Sequence, residues 1–199
     1  MERNMKKVFV TLAVMLGIGA LVVFSVHAFN QSTGVVEPLE TEIDADDTGY
    51  KNGIEKTYYD DGTVWSVASY KNGVLDGERT IYSQTGRVIE VKNFQDGKSH
   101  GITRGYYDDG TLEVEMMYAN GAKNGAYHNF YPNGNPRLDL HYVNDIIDGA
   151  ARWYNRDGST HADAIFQNGK IISGHRYGET GTSSDMTEDE MIEYTGKTR

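Results

Sequence analysis

Short runs of alternating apolar and polar residues, separated by glycine-containing turns, recur through this chain on a fixed period of 24 residues. A period of this length sustained over five copies is typical of repeat architectures, in which one supersecondary unit is stacked many times. We number the units one to five from their leading glycines: Gly53, Gly77, Gly101, Gly125 and Gly149. A turn glycine follows in each unit: Gly62, Gly86, Gly110, Gly134 and Gly158. Two aromatic columns keep the same step: Tyr58, Tyr82, Tyr106, Phe130 and Tyr154, then Tyr70, Phe94, Tyr118, Tyr142 and Phe166.

Each unit has the pattern of a β-hairpin. In unit one, two strand-like runs flank Asp60-Asp61-Gly62, where a type I turn needs a residue with positive φ, which glycine adopts without steric cost. Asn72-Gly73, a strong hairpin signal, then reverses the chain again. The predicted fold class is therefore all-β: an elongated antiparallel meander of about five 24-residue hairpin repeats, preceded by an N-terminal signal or anchor helix. A three-residue turn places Tyr58 across from Val64, and we expect Tyr70 on the same face.

Composition changes divide the chain into four segments. They are a signal peptide or membrane anchor (1–28), an acidic flexible spacer (29–49), the repeat domain (50–177) and a polar tail (178–199). The tail contains one local signal, since Thr187 and Glu190 have the spacing of a capping box and predict a helix of one or two turns. Ser173 to Tyr177 resembles the start of a sixth unit, slipped by one residue, that caps the sheet edge.

The N-terminal segment has the order of a secretory signal. Three cations precede an apolar run from Val8 to Phe24, and Val26-His27-Ala28 supplies small residues, so we expect cleavage near Ala28. The alternative is an uncleaved anchor, because the apolar stretch to Phe29 has about the length of a membrane helix. Both interpretations predict an extracytoplasmic protein, which is periplasmic or secreted after cleavage and otherwise anchored in the inner membrane.

Composition also limits the chemistry. The formal charge of −10 disfavours nucleic-acid binding, and the absence of cysteine excludes disulfides and thiolate chemistry. The five histidines beyond the export segment occupy different repeat positions, and no catalytic motif is present, so we predict neither an enzyme nor a cofactor or metal. One calcium-like motif runs from Asp44 to Glu55, but Thr48 and Lys51 depart from it. We favour an acidic spacer there.

Two sets of residues are candidate interaction sites. The first is an apolar surface in units one and two, at positions that are polar in units three to five: Trp65, Val67, Ile89 and Val91. Such a surface can mark a protein contact, unless the spacer, the tail or a second chain covers it. The second is a candidate anion-facing column: Lys56, Arg104, His128 and Arg152. This column could recognise an anionic glycan, a headgroup or an acidic partner, or could pair across strands with Glu90 and other carboxylates.

The repeated unit resembles the MORN repeat in its bacterial variant form. The clearest copy is Gly101-Ile102-Thr103-Arg104-Gly105-Tyr106-Tyr107-Asp108-Asp109-Gly110 with Tyr118-Ala119-Asn120-Gly121. The resemblance implies a hairpin array that acts as a scaffold or interaction module. It leads to the hypothesis of an exported, non-enzymatic scaffold for protein–protein interaction at the bacterial envelope. Alternatives are a module that binds phospholipid or cell-wall glycan, and an antitoxin- or immunity-like protein.

Overall fold

The structure, a computed structural model, describes residues 43–45, 49–178 and 181–197. Fourteen strands form one antiparallel sheet in chain order, with β10 paired to β9 beside the main path. They are β1 (Ile43–Ala45), β2 (Lys51–Tyr58), β3 (Val64–Lys71), β4 (Val74–Tyr82), β5 (Val88–Gln95), β6 (Lys98–Tyr106), β7 (Leu112–Ala119), β8 (Ala122–Phe130), β9 (Pro136–Val143), β10 (Ile146–Ile147), β11 (Gly149–Tyr154), β12 (Thr160–Gln167), β13 (Lys170–Tyr177) and β14 (Ser183–Asp185). Helix α1 (Glu188–Lys197) follows. The predicted all-β hairpin meander is confirmed, whereas the predicted N-terminal helix lies outside the described residues.

Both predicted turn types are present. The Gly62 amide donates to the Tyr59 carbonyl at 2.9 Å, and Gly62 has a φ of 84°, as a type I turn that rejoins the ladder requires. The Asp61 carboxylate accepts a hydrogen bond from the Thr63 amide at 2.9 Å and closes the turn. In the second turn Asn72 and Gly73 have φ values of 51° and 79°, the signs expected for a type I′ hairpin.

A bulge in each hairpin changes which residues share a face. Tyr58 pairs with Val64 as expected, but Thr57 pairs with Ser66, so Trp65 is an extra residue without a partner across the ladder. Because this insertion interrupts the alternation of side chains, Tyr58 and Tyr70 lie on opposite faces, and the prediction of one shared face is wrong.

Contacts in the later units show the same separation of the aromatic columns. The Tyr154 hydroxyl donates to Asp139 at 2.8 Å on one face, whereas Tyr142 and Phe166 belong to the buried core on the other. We call the face that carries Met116, Leu140 and Phe166 the core face, and the opposite one, which carries Arg104, His128 and Arg152, the ladder face.

The buried core occupies only part of the core face. It runs from Met116 in unit three to Phe166 in unit five, and its remaining sheet members come from the strands between them: Leu138, Leu140, Tyr142, Ile147, Ala151, Trp153, Ala162 and Ala164. Met186 and Tyr194 complete the cluster from the segment after the sheet. Units one and two contribute only Ala68 to the buried hydrophobic residues, so their core face has no comparable cover among the described residues.

The chain after the repeats is more ordered than a polar tail. Arg176 pairs with Ala162, whereas in earlier units the equivalent pairing partner lies one residue later in its unit. The sixth unit, slipped by one residue, is therefore confirmed. Thr187 and Glu190 form the predicted capping box: the Thr187 amide donates to Glu190 Oε2 at 2.8 Å, and the Glu190 amide to Thr187 Oγ1 at 3.4 Å. The helix then continues for 10 residues, longer than predicted, because it packs on the sheet. Within the described residues no helix is both long enough and apolar enough to span a membrane.

Candidate interaction surfaces on the two faces of the sheet

The predicted apolar surface is divided between the two faces. Val67 and Val91 flank Thr80 through direct cross-strand pairing and lie on the ladder face. Trp65 and Ile89 instead occupy the bulge positions of units one and two, where no residue of the neighbouring strand lies opposite. Four residues that alternate simply in sequence therefore do not form one patch.

Bulge residues of the later units lean toward the core face. The Arg137 guanidinium lies 5.9 Å from the centroid of the Tyr131 ring, and the His161 ring stacks on Tyr194 of α1 at 6.1 Å. Since the same register shift recurs in units one and two, Trp65 and Ile89 project toward the core face as well. They remain 42% and 40% exposed, so the part of the predicted surface that is available for contact is the core face of units one and two.

Charged residues lie next to this exposed pair on the core face. Arg79 and Lys92 are direct cross-strand partners, and no ion pair among the described residues includes either of them. Lys92 lies over aromatic rings instead, with its Nζ 5.6 Å from the centroid of Phe94 and 4.9 Å from that of Tyr118. Two like charges directly opposite one another destabilise a sheet, so this pair is a place where an added carboxylate would be favourable.

Helix α1 packs on the core face of units five and six. Tyr194 meets the Trp153 ring edge-on at a centroid distance of 4.9 Å, and its hydroxyl lies 2.7 Å from His161 Nε2. The Glu190 carboxylate binds the Arg176 guanidinium at 2.7 Å. Hydrogen bonding to the Thr187 backbone, with help from Arg176, lowers the pKa of Glu190. Tyr194 and Glu190 therefore provide an apolar and a charged contact between the helix and the sheet, and Met191 also packs against the core.

The candidate anion-facing column is one half of a cross-strand ladder. Each member lies opposite a residue of the neighbouring strand. The pairs are Lys56 with Val67, Arg104 with Glu115, His128 with Asp139, and Arg152 with Asp163. Arg104 Nε lies 2.7 Å from Glu115, and His128 Nδ1 lies 2.7 Å from Asp139. The expected carboxylate partners are therefore present, although Glu90 is not among them, because it pairs with Ile81 and Gly105 on the core face.

A shallow groove of about 550 Å³ lies on the ladder face of units four to six. Two carboxylates shape it in the same way one unit apart. Asp139 accepts from Tyr154, and Asp163 accepts from Tyr177, each at 2.8 Å. Burial, with the bond to Asp139 as the next cause, raises the pKa of Tyr154, whereas the bond to Asp163 is the main cause of the raised pKa of Tyr177. Arg152 lines the groove between the two carboxylates, which gives the groove both hydrogen-bond donors and acceptors.

The first and last residues of the calcium-like motif both lie in strands, and residues 46–48 of the motif lie outside the described residues. Asp44 pairs with Asn52 in the β1–β2 hairpin, and Glu55 lies inside β2, where it binds Lys51. Lys51 is the main cause of the lowered pKa of Glu55. The hairpin thus extends the sheet into the predicted spacer. Across the residues that the structure describes, no group of three or more histidine, aspartate and glutamate side chains could hold a metal ion.

One of three comparisons with known proteins, that with family models, agrees with the repeat geometry. The family profile described as MORN repeat variant matches residues 51–72, 99–120 and 123–144. No curated protein matches the chain. Among solved structures, a chain of the Glycosylation Associate Protein (Gap123) complex from Streptococcus agalactiae aligns with 16% identity and a TM-score of 0.33. The alignment covers 80% of this chain and 26% of that one. With the period, the two turn types and the profile matches in agreement, the chain is a MORN repeat protein of the variant type.

Proposed function

We propose that the protein is an exported, non-enzymatic scaffold that binds another protein at the bacterial envelope through the core face of units one and two. The observation that carries the proposal is the exposure of Trp65 and Ile89 at equivalent positions of consecutive units, on a face whose other end is covered by α1. Large apolar side chains exposed on one face of a protein are typical of protein contacts. The sequence order of the N-terminal segment supports export.

Site-specific photocrosslinking tests the proposal in living bacteria. Benzoylphenylalanine replaces Ile89 in the full-length chain, and a matched variant carries it at Arg137, the same bulge position in unit four. We expect a single protein adduct at position 89 and a much weaker one at position 137. Equal adducts at both positions, or no adduct at position 89, would contradict the proposal. Cell fractionation of the same cultures tests export, because we expect the chain outside the cytoplasm.

A second candidate function is saccharide binding in the groove of units four to six. Its support is the repeated arrangement of Asp139 with Tyr154 and Asp163 with Tyr177 around Arg152, which offers both donors and acceptors beside aromatic rings. Co-sedimentation with purified cell wall and with anionic liposomes tests it. We expect retention by cell wall that Arg152→Gln weakens and the matched Arg104→Gln leaves unchanged, whereas retention by neither material would eliminate this candidate.

A further inference from the structure

The repeats place equivalent positions beneath α1 and beneath the open part of the core face. Trp153 and His161, which contact Tyr194 of α1, occur in the same unit positions as Ile81 and Ile89 in unit two. The registers agree, since Trp153 pairs with Ala162 and Ile81 pairs with Glu90, with the bulge residue omitted from pairing in both. The open site in unit two is therefore a repeat copy of the site that α1 occupies.

The two copies differ in the charged residues around this shared position. Opposite Trp153 the α1 site has Ala162, whereas opposite Ile81 the open site has Glu90. At the α1 site one cation, Arg176, is neutralised by Glu190 of the helix. At the open site two adjacent cations, Arg79 and Lys92, share the core face with Glu90, and no ion pair among the described residues includes any of the three. The first turn of α1 is acidic, with Glu188, Asp189 and Glu190. The two cations outnumber the Glu90 carboxylate, so a helix with an acidic first turn complements the net charge of the open site.

We infer that the partner of this protein presents an acidic amphipathic helix to the core face of unit two, in the manner in which α1 packs on units five and six. This inference rests on the proposed function and specifies the chemistry of the partner. The apolar stripe of the helix packs on Ile81 and Ile89, with Trp65 at its margin. Its carboxylates bind Arg79 and Lys92, as Glu190 binds Arg176.

The arrangement predicts a specific division of energetic roles. Burial of Ile89 and Trp65, now 40% and 42% exposed, supplies most of the affinity because it removes apolar surface from water. The two cations supply orientation and a salt-dependent association rate, since their side chains remain near solvent. The site is open in the presence of α1, so binding does not require that helix to leave the sheet.

A helix with the sequence of residues 186–197, Met-Thr-Glu-Asp-Glu-Met-Ile-Glu-Tyr-Thr-Gly-Lys, is the probe that tests this inference. It is stapled on its outward face, because an isolated helix of this length is marginal in water. We expect saturable binding to the full-length chain, measured by fluorescence anisotropy. Arg79→Glu with Lys92→Glu should weaken binding about tenfold or more, corresponding to roughly 1.4 kcal/mol. Ile89→Ser should do the same. The matched controls Arg137→Glu and Ile172→Ser lie outside the open site and should leave binding unchanged.

A control probe with serine in place of both the methionine and tyrosine anchors of α1, Met191 and Tyr194, should not bind. The inference is overturned if the stapled helix shows no saturable binding, or if the variants in unit two bind as tightly as the parent. The inference is also overturned if the probe binds by displacing α1. Displacement would expose Trp153, and a fluorescence quencher would then reach its side chain. Failure of the probe together with a persistent photoadduct at position 89 would reject only the helical partner. Absence of that adduct would reject the proposed function itself.

Discussion

The Tyr107 hydroxyl donates a hydrogen bond of 2.7 Å to the backbone carbonyl of Phe130, which lies one unit further along the sheet. The same bond links Tyr59 to Tyr82 and Tyr131 to Tyr154. Each of these tyrosines therefore ties its own hairpin turn to the last strand residue before the next turn. Units two and five have Ser83 and Asn155 at this position, and neither provides the phenol.

Removing one tyrosine hydroxyl should weaken the coupling between units. We expect Tyr107→Phe to lower the free energy of unfolding by about 1 kcal/mol, because the carbonyl loses its intramolecular donor while the ring is retained. Urea denaturation followed by circular dichroism measures the change. Tyr58→Phe, at an exposed residue of β2, is the control and should have a smaller effect. An equal effect at both positions would show that the link between units has no special energetic role.

Two glycines with positive φ should differ in their tolerance of alanine. Gly110 has a φ of 88° and no atom within 4 Å of an added Cβ, so Gly110→Ala should cost about 1 kcal/mol from backbone strain alone. Gly125 has a φ of 120°, and its added Cβ would lie 2.9 Å from Met117 Cβ. Gly125→Ala should therefore cost more, roughly 2–4 kcal/mol. Thermal denaturation of both variants checks the order, and the reverse order would contradict the contact geometry.

Tyr194 should be the main anchor of α1. It is buried against Trp153, so Tyr194→Ala should lower the free energy of unfolding by about 3–5 kcal/mol or detach the helix. Tyr194→Phe removes only the hydroxyl that meets His161 and should cost about 1 kcal/mol. Ile192→Ala is the matched control on the same helix, since Ile192 is 67% exposed. Hydrogen exchange of the helix amides distinguishes local detachment from global unfolding.

Three turn aspartates should make the fold sensitive to acid. Hydrogen bonds from Thr63, Thr111 and Ser159 are the main causes that lower the pKa values of the aspartates two residues before them: Asp61, Asp109 and Asp157. A carboxylate whose pKa is lower in the folded state stabilises the fold above its unfolded pKa of about 4. That contribution is lost as the pH falls through the lowered folded pKa.

Melting temperatures measured between neutral pH and about pH 2.5 test this behaviour, a range that brackets the ordinary aspartate pKa. The triple variant Asp61→Asn, Asp109→Asn and Asp157→Asn should show a shallower decline in acid than the parent. Asp60→Asn changes a neighbouring turn aspartate without a hydrogen bond among the described contacts, and it should leave the slope unchanged. A triple variant with the parental acid slope would contradict the assigned role of the turn bonds.

Local chemistry made much of the molecule predictable. The type I turn at Asp61-Gly62 and the type I′ turn at Asn72-Gly73 follow from conformations that few residues adopt, so the hairpins could be placed without a structure. The capping box of Thr187 and Glu190 is local in the same sense. The candidate site was harder to predict from the sequence, because one unpaired residue such as Trp65 reverses the alternation of side chains between the two faces after it.

By itself, the sequence determined the period, the two turns and the succession of strands, because these depend on conformational preferences within a few residues. Only the tertiary structure decided which residues share a face. Cross-strand register interleaves Arg104 and His128 with Glu115 and Asp139, and it places Arg79 beside Lys92. The packing of Tyr194 on Trp153 likewise joins residues far apart in the chain. Such contacts depend on the accumulated register of many strands, which one bulge in each unit shifts by a residue.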